Sequence, residues 1–266
     1  MAAAEPVRVP SLDAPAGTPV ALPGHWFPVS RPGAAPAMLL LHGCSGAVDR
    51  QGALAARYSR LALHLNALGI HALAIDSLSP RGERELCTQA IGSRRVTQLQ
   101  RRRDALGALQ WLAAQPGVDP ARLGVLGWSN GGSTVLAATN RRHREVAAAA
   151  VLPSLAVAFY PGCESELRRG YRPAAPLLLL LGEADDWTPP APCKALAAAA
   201  GDVVQWEAYP GAVHGFDGSG PVRLRRDVPG GVRPGQGVHV GGDAAARAAA
   251  ALRLDQFLRA QWALTP

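Results

Sequence analysis

The chain has 266 residues, 48% of them hydrophobic and 18% charged, with a formal net charge of +7. This composition excludes a disordered chain, and the length suits a single α/β domain over 1–266 with a core of its own. No apolar run is long enough to cross a bilayer, and the arginines fall in short scattered groups without interleaved aromatics, so neither a membrane nor a nucleic-acid partner is expected. Residues 1–18, rich in proline and alanine, read as a loose lead-in. Met1–Pro10 lacks the basic-then-apolar pattern of a secretory signal, so the expected location is cytoplasmic, or external if a signal has been removed. Val20–Leu22 and Trp26–Val29 read as short strands about Pro23-Gly24, and Ala37–Leu41 as a strand buried on both faces. Leucines at helical spacing predict a helix within Gln51–Leu68, stopped by Gly69. Ile70–Ile75 is the next strand, and a long loop covers Asp76–Ser93. Val96–Ala114 is a second helix with Leu99, Leu106, Leu109 and Leu112 inward. Strands follow at Arg122–Leu126, Leu155–Tyr160, Leu177–Leu181 and Val203–Tyr209, with a helix over Pro192–Ala200. The glycine-rich stretch 215–242 reads as an ordered surface loop over the site, and Asp243 caps a last helix facing inward through Leu254, Phe257, Leu258 and Trp262. Strands alternating with helices predict a mostly parallel sheet with helices on both faces.

Gly127-Trp128-Ser129-Asn130-Gly131 lies directly between the apolar run Leu123–Leu126 and a helix-compatible segment. Strand, sharp turn and helix form the context in which Gly-x-Ser-x-Gly lifts a serine hydroxyl above the end of a sheet. A serine needs a base, and the base needs a group that fixes its tautomer. His214 follows the strand ending at Tyr209, and Asp185 follows the strand ending at Leu181. Asp186 competes with Asp185, which the offset from Gly182 and the nearby Pro189 favour; His239 competes with His214 but sits in a Val-His-Val setting that reads as packing. The N–H groups of Cys44, in the loop His42-Gly43-Cys44-Ser45-Gly46, and of Asn130 are the expected oxyanion donors, and losing one typically costs about 3 to 4 kcal/mol of transition-state stabilisation. His42 reads as a brace for that loop. Trp128, Tyr160, Trp187 and Phe216 either line a substrate pocket or belong to the core, and Arg81 either meets an anionic substrate or sits at the surface. The histidines form no ligand cluster, so no metal is expected. Of Cys44, Cys87, Cys163 and Cys193, the last two flank a strand and could be bridged; four free thiols are the alternative.

His-Gly-Cys-Ser-Gly, Gly-Trp-Ser-Asn-Gly-Gly, Phe-Tyr-Pro-Gly-Cys, Gly-Glu-Ala-Asp-Asp-Trp-Thr-Pro and the segment around His214 together resemble the dienelactone hydrolase-like family of α/β-hydrolases, in order from Pro36 to Trp262. The resemblance implies the α/β-hydrolase fold, no cofactor, and hydrolysis of a small-molecule carboxylic ester through an acyl-enzyme. It implies Ser129 as nucleophile, His214 as base, Asp185 as acid, and the amides of Cys44 and Asn130 as the oxyanion hole. Ser129 stands where the namesake enzymes carry cysteine, and Gly43 where they carry a glutamate. The same triad could serve a peptidase or an acyl transferase, and a non-catalytic binding protein on this scaffold is the alternative of a different class.

Overall fold

The computed structural model describes residues 4–49 and 51–264. Eight strands form one sheet in the order β1-β2-β4-β3-β5-β6-β7-β8. They are β1 (Glu5–Pro10), β2 (Ala21–Phe27), β3 (Ala35–Leu41), β4 (His71–Ile75), β5 (Val118–Trp128), β6 (Leu155–Phe159), β7 (Leu177–Gly182) and β8 (Val204–Tyr209). From β4 to β8 the neighbours run parallel, while β2 pairs antiparallel with both β1 and β4. This is the mostly parallel sheet that the alternation of elements predicts.

Strands buried on both faces still alternate, because successive side chains leave a strand on opposite sides. Leu39, Leu41, Leu73, Val125, Leu179 and Leu181 point to one face. There they meet Ala105, Leu109 and Leu112 of α2 (Gln98–Ala113), Val135 and Leu136 of α3 (Asn130–Thr139), and Leu196 of α6 (Pro190–Ala200). Met38, Leu40, Leu126, Val157, Leu178 and Leu180 point to the other. That face is covered by Tyr58 and Leu65 of α1 (Ala56–Ala67) and by Leu254, Phe257, Leu258 and Trp262 of α7 (Ala244–Trp262). The side chain of Asp243 accepts from the Ala246 N–H at 2.9 Å, capping α7. Two short helices, α4 (Arg144–Ala147) and α5 (Glu164–Arg169), lie between β5 and β7 in the chain.

Four expectations change. The lead-in, whose residues 1–3 lie outside the described part, is not loose: Val9 is fully buried opposite Leu22 on the edge strand β1. Its prolines obscure the alternation, but an edge strand tolerates them. The two short strands about Pro23-Gly24 are one strand, β2; pairing with β4 begins at Gly24, so the missing N–H of Pro23 breaks no bond to β4. Leu99 is 39% exposed at the start of α2, not inward. The stretch 215–242 contains a hairpin, β9 (Arg223–Arg225) against β10 (Val238–Val240). Among the described residues no helix is long and apolar enough to cross a membrane.

The chain leaves β3 for β4 on one side, then returns to β5 on the other. The crevice at such a reversal, above the carboxyl ends of the strands, is where ligands bind in open α/β sheets. The loops after β3 and β5 both open into it.

Candidate active site

Ser129 sits at the turn from β5 into α3 with φ 54° and ψ −118°. A non-glycine residue adopts such a backbone only where its surroundings enforce it. The flanking glycines show how: a Cβ on Gly127 would lie 2.3 Å from the Gly131 carbonyl oxygen, and one on Gly131 would lie 2.1 Å from that of Leu41. Close passage of β5, α3 and the end of β3 therefore fixes the turn.

His214 Nε2 lies 2.9 Å from Ser129 Oγ, and His214 Nδ1 lies 2.8 Å from Asp185 Oδ2. Asp185 is itself held in place, its Oδ1 accepting from the N–H groups of Trp187 and Thr188, both at 2.9 Å. Asp185 and His214 are each 4% exposed. The Thr188 hydroxyl stands within reach of Asp185 Oδ2 (3.0 Å), the Tyr160 carbonyl (3.0 Å) and His214 Nδ1 (3.1 Å). The runner-up residues pair with each other instead. Asp186 Oδ2 meets His239 Nδ1 at 2.7 Å and Oδ1 accepts the His239 N–H at 2.8 Å, pinning β10 to the acid loop. β10 also bridges the His214 loop through Val240, so the hairpin within the stretch read as an ordered surface loop touches the loops after both β7 and β8.

The loop after β3 packs against the serine: a Cβ on Gly43 would be 3.7 Å from Ser129 Cβ. Its shape is set by His42, which the sequence marks as a brace. His42 Nε2 accepts from the Ser77 N–H at 3.2 Å, so Nδ1 carries the proton and donates to the Gly43 carbonyl at 2.7 Å. Burial, with the nearby Arg101 cation, pushes this imidazole down to about 3, so it stays neutral. Cys44 is disulfide-bonded to Cys87, and Cys163 to Cys193, which places all four thiols in bonds. Asn130 opens α3, where a backbone N–H has no carbonyl one turn back to bond.

A cavity of about 530 Å³ opens above Ser129. Its lining includes Cys87, Ile91 and Val96 from the loop before α2, together with Glu164, Arg168 and Trp187, and Pro229–Gly231 from between β9 and β10. Of the aromatic candidates only Trp187 lines it. Trp128, Tyr160 and Phe216 are at most 2% exposed and belong to the core. Arg81 does not reach the cavity either. It bonds Asp104 at 2.8 and 2.9 Å and Asp13 at 2.8 Å, tying the lead-in to α2.

Sequence reading missed Thr188, Asp217 and Arg101. Asp217, three residues past His214, accepts from Trp128 Nε1 at 3.0 Å and from the Tyr160 hydroxyl at 2.6 Å, anchoring the histidine loop to the core. Nothing local in the sequence marks it. Arg101 carried a signal that the run Arg101-Arg102-Arg103 concealed: it shares a helix face with Ala105, Ala108 and Leu112, and it is 1% exposed. Among the described residues no group of three or more His, Cys, Asp or Glu side chains is arranged to hold a metal.

The dienelactone hydrolase family model matches residues 36–261. An uncharacterized protein of Mycobacterium tuberculosis is 29% identical over 208 residues, 73% of this chain and 68% of that protein. Esterase 2 of Thermogutta terrifontis, phosphorylated by paraoxon, is similar in fold with a TM-score of 0.65 at 19% identity, covering 100% of this chain and 97% of that one. A dienelactone hydrolase-like promiscuous phosphotriesterase from metagenomic libraries gives 0.67 at 19% identity, covering 98% and 99%.

Proposed function

Because the chain belongs to the dienelactone hydrolase family, we propose that it is a serine-dependent carboxylic ester hydrolase acting on small-molecule esters. The observation that carries this reading is the unbroken relay from Ser129 Oγ to His214 Nε2 at 2.9 Å and from His214 Nδ1 to Asp185 at 2.8 Å. The similar Thermogutta protein is an esterase modified by an organophosphate, a reagent class that reacts with activated hydroxyls.

In this mechanism His214 Nε2 takes the Ser129 proton as Oγ bonds to the ester carbonyl carbon. Asp185 holds the proton on Nδ1 and stabilises the imidazolium that forms. The carbonyl oxygen becomes an oxyanion and accepts from the N–H groups of Cys44 and Asn130. As the intermediate collapses, the imidazolium gives its proton to the departing alcohol oxygen, leaving an acyl-enzyme. Water, deprotonated by the same nitrogen, adds to the acyl carbon, and collapse releases the acid as the imidazolium returns that proton to the departing Ser129 Oγ.

The two disulfides favour an oxidising compartment over the cytoplasm. Thiol counting on protein isolated under acid quench checks this: four free thiols from native cells would place it in a reducing one.

Steady-state hydrolysis of a panel of p-nitrophenyl and alkyl esters, beside peptide substrates and acyl acceptors, tests the activity. Ser129→Ala is expected to abolish turnover and labelling by a fluorophosphonate while circular dichroism and melting stay those of the parent. Retained turnover in that variant removes Ser129 from the mechanism, and a preference for peptides or for acceptor over water reassigns the reaction.

A further inference from the structure

Arg101 is a buried cation with an unusual set of partners. Its guanidinium donates through Nη2 to the His42 carbonyl at 2.7 Å and through Nη1 to the side-chain oxygen of Asn130. Nε has no partner, and among the described residues no carboxylate forms an ion pair with it. Burial pushes its pKa down to about 10, with Asp104, Tyr58 and Asp76 opposing the shift, so it remains charged at neutral pH. Taking an arginine out of water without a paired carboxylate is strongly unfavourable. A methionine or leucine would fill the same space on α2 without that penalty, so packing alone does not account for the charge.

The two acceptors say what the charge does. The His42 carbonyl belongs to the peptide that leads into the loop of Cys44, and the N–H of that same peptide, on Gly43, donates to the Tyr58 hydroxyl at 3.3 Å. Asn130 is fixed at both ends as well: Arg101 holds its side chain, while its backbone carbonyl accepts from Gln98 Nε2 at 3.2 Å and Thr134 Oγ1 at 2.9 Å. One rigid planar group therefore spans the end of β3 and the start of α3, the two segments that carry the proposed oxyanion donors.

Resting on the serine-esterase reading, we propose that Arg101 is a positioning residue that holds the amides of Cys44 and Asn130 in register and places a fixed positive charge behind them. A fork with two donors does this as a point charge cannot. In a water-excluded site such a charge also strengthens the stabilisation of negative charge developing on the substrate oxygen.

The test uses Arg101→Met, Arg101→Lys, Asn130→Ala and the double variant Arg101→Lys/Asn130→Ala. Asn130→Ala removes the anchored side chain but keeps the backbone N–H. Hydrolysis of p-nitrophenyl butyrate is normalised to active sites by fluorophosphonate titration, and affinity for phenylboronic acid, which forms a tetrahedral anion on the serine, is measured alongside. Arg101→Met is expected to lower kcat per site by roughly 10- to 100-fold with KM within about threefold, below the full loss of one donor. Boronate affinity should weaken by a similar factor, and Arg101→Lys should recover part of both. A merely structural role would lower the fraction of active sites and the melting temperature without moving either per-site value. Because Arg101 and Asn130 act through one bond, the double variant should lose less than the product of the two single losses. Per-site kcat and boronate affinity within about twofold of wild type in Arg101→Lys and Asn130→Ala overturn the proposal even if Arg101→Met fails to fold. Losses that simply multiply overturn it too. A wild-type protein that neither turns over esters nor labels overturns the enzyme reading, and this inference with it.

Discussion

Asp185→Asn is nearly isosteric, yet the surroundings of Asp185 make it a severe change. The carboxylate oxygen Oδ1 faces two N–H donors, those of Trp187 and Thr188, each at 2.9 Å. In the variant the amide oxygen must take that position, because an NH₂ group there would face two donors. The NH₂ then falls where Oδ2 was, 2.8 Å from His214 Nδ1. That nitrogen must become an acceptor, so the proton moves to Nε2, the atom facing Ser129 Oγ at 2.9 Å. A protonated Nε2 cannot take the serine proton. A wrong tautomer of this kind costs about 10⁴-fold in kcat, or roughly 5 to 6 kcal/mol of transition-state stabilisation. Asp185→Ala, the larger truncation, should be the milder change. It frees Nδ1–H to donate to Thr188 Oγ1, 3.1 Å away, while that hydroxyl turns its own proton to the Tyr160 carbonyl at 3.0 Å. Asp186→Asn should leave kcat nearly unchanged, since Asp186 serves only the half-exposed His239 and the hairpin. The assay is steady-state ester hydrolysis with active-site titration. An asparagine variant keeping more than about a tenth of wild-type kcat, or an alanine variant worse than the asparagine one, refutes the tautomer argument. A larger loss in Asp186→Asn moves the acid to the neighbour.

Two further perturbations test the loop after β3. Folding holds His42 at about 3 against an ordinary 6.5, through burial and Arg101 and against the Gly43 carbonyl and Asp76. The unfolded chain thus binds a proton that the folded chain refuses: this contribution to stability is complete above 6.5 and is lost as pH falls toward 3, with a slope of up to about 1.4 kcal/mol per pH unit. Urea melts of His42→Gln between neutral and acidic pH should therefore fall less steeply than those of wild type, and parallel curves would show that His42 is not held neutral. The Cys44–Cys87 bond closes a separation of 43 residues. Replacing both by serine should cost about 4 kcal/mol of unfolding free energy on the chain-entropy account, read by denaturant melts. Since Cys44 also belongs to the proposed oxyanion loop, kcat should fall with it; an unchanged kcat would show that the loop is held without the bond.

The helices and central strands are legible because their signal is local. Buried parallel strands write short runs of Leu, Val and Ala, and covering helices write leucines at period 3.6. What escaped depends on contacts distant in the chain. Alternation in Glu5–Pro10 means little until Val9 is seen opposite Leu22, and β9 and β10 are three-residue strands whose pairing, not composition, makes them strands. Arg81 and Arg101 illustrate the same limit for charge. Both lie in polar-looking stretches, yet the first is a half-buried ion-pair clamp between Asp13 and Asp104 and the second a buried fork on two carbonyl-type oxygens. A residue type and its neighbours in sequence do not state which oxygens will surround it.

At the site itself, order along the chain points to the serine, histidine and aspartate loops, but the segment after β7 offers two acids and the chain after β8 two imidazoles. Burial separates them. Asp185 and His214 are shielded from water, where a hydrogen-bonded carboxylate acts strongly on an imidazole. Asp186 and His239 lie with side chains 34% and 52% exposed, where the same pairing is worth at most about 1 kcal/mol. A pair that weak contributes little as a relay but suffices to hold a surface hairpin. Asp186 and His239 thus bear on the site in a different way: Asp186 accepts the His239 N–H, and its carbonyl accepts from Val232 at 2.8 Å. Both bonds fix the hairpin whose Pro229–Gly231 segment lines the cavity. The loop after β7 therefore makes two connections from adjacent residues, Asp185 to the His214 imidazole and Asp186 to the hairpin that lines the cavity. Substitutions confined to Pro229–Gly231, which line the cavity between β9 and β10, should therefore change which esters are admitted before they change what the relay does to a carbonyl.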